Sequence, residues 1–150
     1  MAAPDTIRNL VSNRKAGFEY HLEDRYEAGI ELRGSEVKSL RAGNANLQEA
    51  WVRLEKGSAW LVGCHISHYD KANRNNHEPL AERRLLLNAQ EIAKLKKAIT
   101  IKGKTIVPVR IYLKGSWVKI EIAIAVGKKL HDKRATQKDR DAKREVREFR

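Results

Sequence analysis

Cys64, His65, His68 and His77 are the residues in this sequence most suggestive of metal binding. Consecutive residues of a strand point to opposite faces of a sheet, so Cys64 and His65 would be kept apart. The group also lacks the paired ligand spacing that zinc sites show. We therefore expect a buried cysteine beside exposed histidines, and no metal site.

Catalytic arrangements are the second kind of chemistry to consider. The tripeptide GKT at residues 103–105 resembles the end of a phosphate-binding P-loop, but Ala98 stands where that loop needs a glycine. Asp139 and Asp141 would not meet on a helix, because positions two apart do not share a face. We expect no enzymatic activity and no cofactor. The alternative is a small basic nuclease that uses surface carboxylates and a divalent metal.

Basic charge dominates the composition. The 150 residues include 31 Lys or Arg and 19 Asp or Glu, a net charge of +12. Such an excess favours a polyanionic partner, and aromatic side chains that can stack on unpaired bases favour RNA over an anionic membrane. The cations expected at strand edges, helix faces or loops, within reach of phosphates, are Arg14, Lys15, Lys38, Arg41, Arg83, Arg84, Lys119, Lys128 and Lys129.

The last 24 residues, 127–150, hold ten Lys or Arg and five Asp or Glu but only three large apolar side chains. They cannot form a core of their own. From Lys133 onward the segment has good helix formers and favourable i,i+4 and i,i+3 charge spacings, yet each such pair contributes only about 0.2–0.5 kcal/mol. We expect this basic tail to be disordered when free and helical when it binds a polyanion.

The fold class follows from hydrophobic periodicity. Apolar and polar residues alternate in six segments, which predicts six short antiparallel strands. Two helices are predicted, over residues 34–43 with Ser35 as the N-cap, and from a capping box of Asn88 and Glu91 to near Gly103. Hairpin-length connections favour a mainly β, closed antiparallel barrel. The inner-face positions include Trp60, Val62, Cys64 and Ile66 on one strand and Val107, Val109, Ile111 and Leu113 on another.

Three regions are predicted along the chain. Residues 1–17 have no period and are expected to form a flexible N-terminal arm, residues 18–126 an RNA-binding β-barrel domain, and residues 127–150 the tail. Residues 67–84 are expected to be a long exposed connection. With a single cysteine and no apolar segment of membrane-spanning length, we expect a soluble cytoplasmic protein that is monomeric when free.

Four segments together resemble the small protein B (SmpB) family of SsrA-binding proteins, partners of transfer-messenger RNA (tmRNA) in bacterial trans-translation. The resemblance runs from about Arg8 to Arg150, and several long motifs fall in the same order. The segments are YEAGIELRGSEVKSLRAGNANL, NHEPLAERRLLLNAQEI, GKTIVPVRIYLKGSWVKIEIAIAVGKK and HDKRATQKDRDAKRE.

The resemblance implies a barrel related to the oligonucleotide-binding (OB) fold that binds the tRNA-like domain of tmRNA. It also implies an adaptor whose tail enters the vacant mRNA path of a stalled ribosome, beside small-subunit rRNA. A generic binder of ribosomal or single-stranded RNA is the alternative. The implied tmRNA contacts are Glu27, Leu86, Asn88 and Lys119, with Arg14, Lys15, Lys38 and Arg41 as phosphate contacts. The residues implied to lie by the decoding centre are Lys128, Lys129, His131, Asp132, Lys133 and Arg134.

Overall fold

A computed structural model of the chain describes residues 6–69 and 76–128. Within these ranges the chain forms nine strands and three helices. In chain order they are β1 (Ile7–Ser12), α1 (Arg14–Glu19), β2 (Tyr20–Ile30), α2 (Gly34–Arg41), β3 (Ala45–Asn46), β4 (Trp51–Glu55), β5 (Ser58–Val62), β6 (His65–Ile66), β7 (Arg83–Leu86), α3 (Ala89–Ile99), β8 (Lys104–Lys114) and β9 (Trp117–Gly127).

Seven strands form one antiparallel sheet in the order β1-β8-β9-β2-β7-β5-β4, and β3 pairs with β6. The mainly β, antiparallel class is confirmed, but the main sheet has seven strands, not the predicted six. The hydrogen-bonded order ends at β1 and β4 and does not join them, so the closed barrel stays a prediction.

Two predicted turns are confirmed. Lys56 and Gly57 connect β4 to β5 with φ angles of 47° and 76°, and Gly115 lies between β8 and β9 with φ of 62°. The paired positive φ values of Lys56 and Gly57 give the twist that a tight hairpin needs. These hairpins, together with the long pairing of β9 with β2, build the middle of the sheet.

The core lies between the inner face of the sheet and α2 and α3. Fully buried Leu40 of α2 and Leu95 of α3 pack with the inner residues of the sheet. The capping box of α3 is confirmed: Asn88 Oδ1 accepts a hydrogen bond from Glu91 N at 2.8 Å, and the Glu91 carboxylate accepts one from Asn88 N at 3.2 Å. Ser35 is not the N-cap of α2, because the helix begins at Gly34 and Ser35 is buried in its first turn.

Two segments that we expected to be irregular contain strands. Within the predicted arm of residues 1–17, β1 pairs with β8 and is followed by α1. Most β1 side chains are exposed, which is why the sequence shows no apolar period. Within the predicted connection of residues 67–84, β7 begins at Arg83 and lies between β2 and β5. Four residues are too few for a clear periodic signal.

The inner-face assignments on β5 and β8 were partly wrong. On β5 the buried residues are Ala59 and Leu61, so the predicted Trp60 and Val62 lie on the outer face. Gly63, with φ of 75°, interrupts the alternation, and Cys64 and Ile66 are buried as predicted.

On β8, an irregularity between Pro108 and Arg110 shifts the alternation. Ile106 and Ile111 both reach the main core, whereas Val107 packs under α1 with Ala16 and Ala125. A bulge changes which residues of a strand share a face, and this effect cannot be read from apolar spacing alone.

Within residues 6–69 and 76–128, none of the helices has the length and hydrophobicity of a membrane-spanning segment.

Candidate nucleic-acid interface

The outer face of the main sheet carries the first group of candidate residues. Gly29 of β2 lies opposite both Lys119 of β9 and Leu86 of β7, and Lys119 lies opposite Tyr112 of β8. Their neighbours along each strand face the core, so these four residues share the outer face. Pairing across the sheet thus joins the predicted residues Leu86 and Lys119.

Glu27 lies on the same outer face, two residues before Gly29. Its carboxylate accepts hydrogen bonds from the Tyr112 hydroxyl and from Lys114 Nζ, which lies 3.3 Å from Oε1 and 3.4 Å from Oε2. Both donors belong to β8, so their side chains cross β9 to reach β2. The Glu27 side chain is 38% exposed, and a carboxylate offers about four acceptor positions. Glu27 therefore keeps acceptor capacity toward a ligand.

The electrostatics of this site keep Glu27 negative. The hydrogen bond from Tyr112 lowers the pKa of Glu27 below its ordinary value of 4.5, and Lys114 and Lys119 lower it further. Burial is the main reason that the pKa of the Tyr112 hydroxyl is raised, and the bond to Glu27 raises this pKa further. At neutral pH the site is an ionised carboxylate beside two ammonium groups. We refer to Glu27, Leu86, Lys114 and Lys119, together with the buried Tyr112 that bonds to Glu27, as the Glu27 surface.

A glycine makes room for the apolar part of this surface. A β-carbon added at Gly29 would lie 3.2 Å from Leu86 Cβ and 3.4 Å from Leu86 Cδ1, which is tighter than most such contacts. Leu86 is 50% exposed and therefore forms an apolar patch beside the charged groups. Asn88 follows at the start of α3; its oxygen caps the helix, and its amide N–H groups are oriented by that bond.

The predicted cations on α2 form a second group. Lys38 and Arg41 are exposed on this helix. Lys38 Nζ lies 5.4 Å from the centre of the Tyr69 ring, within the range of a cation–π interaction. This contact orients the ammonium group without neutralising it.

The predicted cations on α1 form a third group. Arg14 is exposed, whereas Lys15 Nζ lies 3.0 Å from Glu49 Oε1. Glu49 is the main reason that the pKa of Lys15 is raised. The position of α1 is set by Asn13, whose buried amide donates to Pro108 O at 2.9 Å and whose Oδ1 accepts from Ala16 N.

The C-terminal end of the described chain also reaches α1. Lys128 N donates to Glu19 O at 2.9 Å, and Lys128 Nζ donates to Gly17 O at 3.0 Å. Lys128, the last described residue, therefore lies beside α1. The other predicted decoding-centre residues lie outside the described residues: Lys129, His131, Asp132, Lys133 and Arg134.

Arg83 is not the exposed phosphate contact that we expected. Its side chain is 2% exposed and forms an ion pair with Glu36, which is 5% exposed. Arg83 also donates to Cys64 O at 2.7 Å and to Pro79 O at 3.1 Å. It links α2, the residue before β6 and the chain before β7. The adjacent Arg84 is exposed, as predicted.

Cys64 and the three histidines considered as metal ligands differ in burial. Cys64 is fully buried, and burial raises the pKa of its thiol to about 11. His65 and His68 are exposed, but His77 is buried and bonded to Ser35 Oγ and Ile66 O, both at 2.8 Å. Among residues 6–69 and 76–128, no three His, Cys, Asp or Glu side chains are grouped as metal ligands.

Tyr112 and Lys114 are the residues of the Glu27 surface that sequence reasoning missed. The predicted inward positions Ile111 and Leu113 implied that both point outward, which was the available signal. The sequence gives no local signal for the bond between Tyr112 and Glu27, because the two residues are separated by 85 positions.

The family model described as SmpB protein matches residues 10–150 of this chain. An SsrA-binding protein of Synechococcus sp. (strain JA-2-3B'a(2-13)) is 47% identical over 147 residues, which cover 97% of this chain and 96% of that protein. The SsrA-binding protein of Deinococcus radiodurans is 49% identical over 143 residues, 95% of this chain and 100% of its own length.

A solved structure gives the same indication. The structure described as "tmRNA-SmpB: a journey to the center of the bacterial ribosome" superposes with a TM-score of 0.70 at 37% identity, over 82% of this chain and 87% of that one. Sequence and fold agree over most of the chain. The chain therefore belongs to the SmpB family.

Proposed function

We propose that the chain binds the tRNA-like domain of tmRNA and delivers this RNA to stalled ribosomes in trans-translation. Membership of the SmpB family supports this function, as do the SsrA-binding relatives and the solved neighbour described as tmRNA-SmpB in the bacterial ribosome. The observation that carries the proposal is the Glu27 surface, where an oriented carboxylate, two ammonium groups and an apolar patch lie together.

Each component of this surface suits a different part of RNA. The ammonium groups of Lys114 and Lys119 attract phosphates. The Glu27 carboxylate is repelled by phosphates, so its role is to accept hydrogen bonds from base amino groups or from 2′-hydroxyls. Leu86 offers apolar contact to a base or sugar. A surface that combines these groups discriminates among RNAs, whereas a purely cationic surface does not.

The remaining cations extend this interface. Lys38 and Arg41 on α2, and Arg14 and Lys15 on α1, are proposed phosphate contacts, with Asn88 as a further contact beside Leu86. Lys15 would exchange its ion pair with Glu49 for a phosphate, so we expect it to contribute less than Lys38.

The finer fold proposal is that the sheet curls into a barrel related to the OB fold. The close approach of β4 to β8 supports this, because β4 is one end of the hydrogen-bonded order and β8 lies next to the other end. Closed β-sheets of this class present loops and one sheet face to nucleic acids.

The tail is proposed to enter the vacant mRNA path and become helical there. His131 would stack on or hydrogen-bond to an rRNA base, Lys133 and Arg134 would pair with phosphates, and Asp132 would orient one of those cations. Lys128 and Lys129 would lie at the start of this segment. The hydrogen bonds of Lys128 to α1 hold the first residues of the tail against the folded domain.

We propose an adaptor in the cytoplasm, with no catalytic activity. Glu27 and Glu121 lie opposite each other in the sheet, yet each carboxylate is bonded to cationic or hydroxyl donors, unlike a pair arranged to share a metal. Cleavage of labelled RNA by the pure protein with Mg²⁺, abolished by chelation, would identify a nuclease instead.

The proposed function is tested by RNA selection. The purified full chain is incubated with total bacterial RNA at near-physiological salt, and the retained RNA is sequenced. We expect strong enrichment of tmRNA over tRNA and rRNA fragments. Retention of each RNA in proportion to its abundance would identify a generic RNA-binding protein.

A further inference from the structure

Trp117 is a large aromatic side chain that the roles described above do not use. Its side chain is 71% exposed, more than the other exposed large hydrophobic residues among residues 6–69 and 76–128. Because the indole ring remains in water, it contributes little hydrophobic free energy to the stability of the fold. An exposed aromatic ring beside charged groups is typical of a binding surface.

The sheet register places Trp117 at the border of the Glu27 surface. Trp117 begins β9 and lies opposite Lys114, whose ammonium group bonds to Glu27. Lys119 follows two residues later on the same strand, so both side chains point to the outer face. The indole ring is therefore flanked by two cations that belong to the proposed RNA contacts.

Two further residues of the outer face, Arg84 and Trp60, lie near the Glu27 surface. Glu31 N donates to Arg84 O at 3.0 Å, and Arg84 lies opposite Trp60. Arg84 and Trp60 thus lie side by side on the outer face, next to the line formed by Leu86 and Lys119.

We propose that Trp117 is a base-stacking residue that holds an unpaired nucleobase of the RNA bound at the Glu27 surface. The proposal rests on the proposed function and identifies the ligand at this position as a nucleobase. Aromatic faces stack on bases that are free of duplex pairing, and cations beside the ring hold the phosphates of the same nucleotides. Lys114 and Lys119 are placed to do this for a base on Trp117.

The first test compares three variants for equilibrium binding to the tRNA-like domain of tmRNA. Trp117→Ala should weaken binding by about 5- to 150-fold, the range measured for loss of one base–aromatic stack. Trp117→Phe should retain most of the affinity. Trp51→Ala, the matched control, removes a tryptophan that is 42% exposed on β4, and should leave affinity unchanged.

The salt dependence of RNA affinity distinguishes the loss of a stacking contact from the loss of a phosphate contact. Trp117→Ala should leave the slope of log affinity against log salt unchanged, because no phosphate contact is lost. Wild-type affinity for Trp117→Ala would overturn the inference, as would an affinity loss accompanied by a flatter slope. If the wild-type chain itself shows no preference for tmRNA, the proposed function fails, and this inference with it.

A second measurement does not require removal of Trp117. In a variant with Trp51→Phe and Trp60→Phe, the remaining fluorescence comes from Trp117. Addition of the tRNA-like domain should quench this fluorescence and protect it from acrylamide. Unchanged emission and unchanged acrylamide access in the bound state would overturn the proposal, and would place Trp117 against another partner.

Discussion

Glu27 and Glu121 lie directly opposite each other on β2 and β9, and their carboxylates are held by different partners. Glu27 accepts hydrogen bonds from Tyr112 and Lys114, whereas Glu121 lies 2.9 Å from Arg25 Nη1. Like charges directly opposite in a sheet are destabilising unless each is compensated. Arg25 compensates Glu121, whereas Tyr112 and Lys114 compensate Glu27 and hold its carboxylate on the surface proposed to bind RNA.

The Tyr112 hydroxyl should control the ionisation of Glu27. In the folded protein the pKa of Glu27 lies below 4.5, so its contribution to stability is present above pH 4.5 and is lost as pH falls through the lower folded value. Tyr112→Phe should move the Glu27 pKa up toward 4.5 and destabilise the fold more at pH 7 than at pH 3. Carbon-detected NMR titration of the Glu27 carboxyl measures the shift. An unchanged Glu27 pKa would contradict this assignment.

Arg83 should stabilise the fold, whereas the adjacent Arg84 should contribute to RNA binding. Arg83→Ala leaves the buried Glu36 carboxylate unpaired, which should cost about 3–5 kcal/mol of unfolding free energy. Arg84→Ala changes an exposed side chain and should alter stability by only about 0.5 kcal/mol or less, while lowering RNA affinity. Urea unfolding and RNA binding measure the two effects. Equal stability of the two variants would show that the Glu36–Arg83 pair does not support the fold.

This pair of arginines shows where sequence reasoning stops. The alternation of apolar and polar residues correctly predicted strands at β8 and β9 and the outward direction of Lys119. It could not separate Arg83 from Arg84, because the polar segment before β7 shows no period. Burial of Arg83 depends on Glu36, 47 positions away in the sequence. Contacts over such separations have no local signature.

The candidate site was also only partly predictable from the sequence. Motif resemblance identified Glu27, Leu86 and Lys119, and the sheet register shows that they lie on one face. The side chains that hold Glu27 in place come from β8, which is separated from β2 in the sheet by β9. A strand order is needed before such a bond can be predicted, and hydrophobic periodicity does not give strand order.

Lys38 and Lys119 should act as phosphate contacts. Replacement of either with Ala should weaken binding to all RNAs alike and flatten the salt dependence by about one unit of log–log slope. Lys56→Ala is the matched control, because Lys56 is exposed on the β4–β5 turn and is not a proposed contact. Filter binding at several salt concentrations gives the slopes. Loss of selectivity with an unchanged slope would mean that these lysines read bases.

Removal of the tail should separate RNA binding from ribosome rescue. The cut belongs after Lys128, two residues beyond Val126, because β9 runs to Gly127 and Lys128 bonds to Glu19. The shortened chain should fold and bind tmRNA nearly as well as the full chain, yet fail to support tagging in a reconstituted stalled-ribosome assay. Normal tagging by this chain would refute the role of the tail.

In the full chain, replacement of Asp132, Lys133 and Arg134 with Ala should reproduce much of the same loss of tagging. RNA binding should be unaffected, because these residues are proposed to contact the decoding centre. Loss of tmRNA binding from this triple change alone would place them in the tmRNA interface.

Glu27 is proposed to recognise tmRNA through its acceptor oxygens. The most direct test is the equilibrium affinity of the wild-type chain, Glu27→Gln and Glu121→Gln for the tRNA-like domain of tmRNA. Hydrogen bonds to a charged group contribute about 1.5–3 kcal/mol, so Glu27→Gln should lose roughly 10- to 100-fold in affinity. Glu121→Gln removes the same charge from the opposite strand and should bind like the wild type. Wild-type affinity for Glu27→Gln, or equal losses in both variants, would contradict the account.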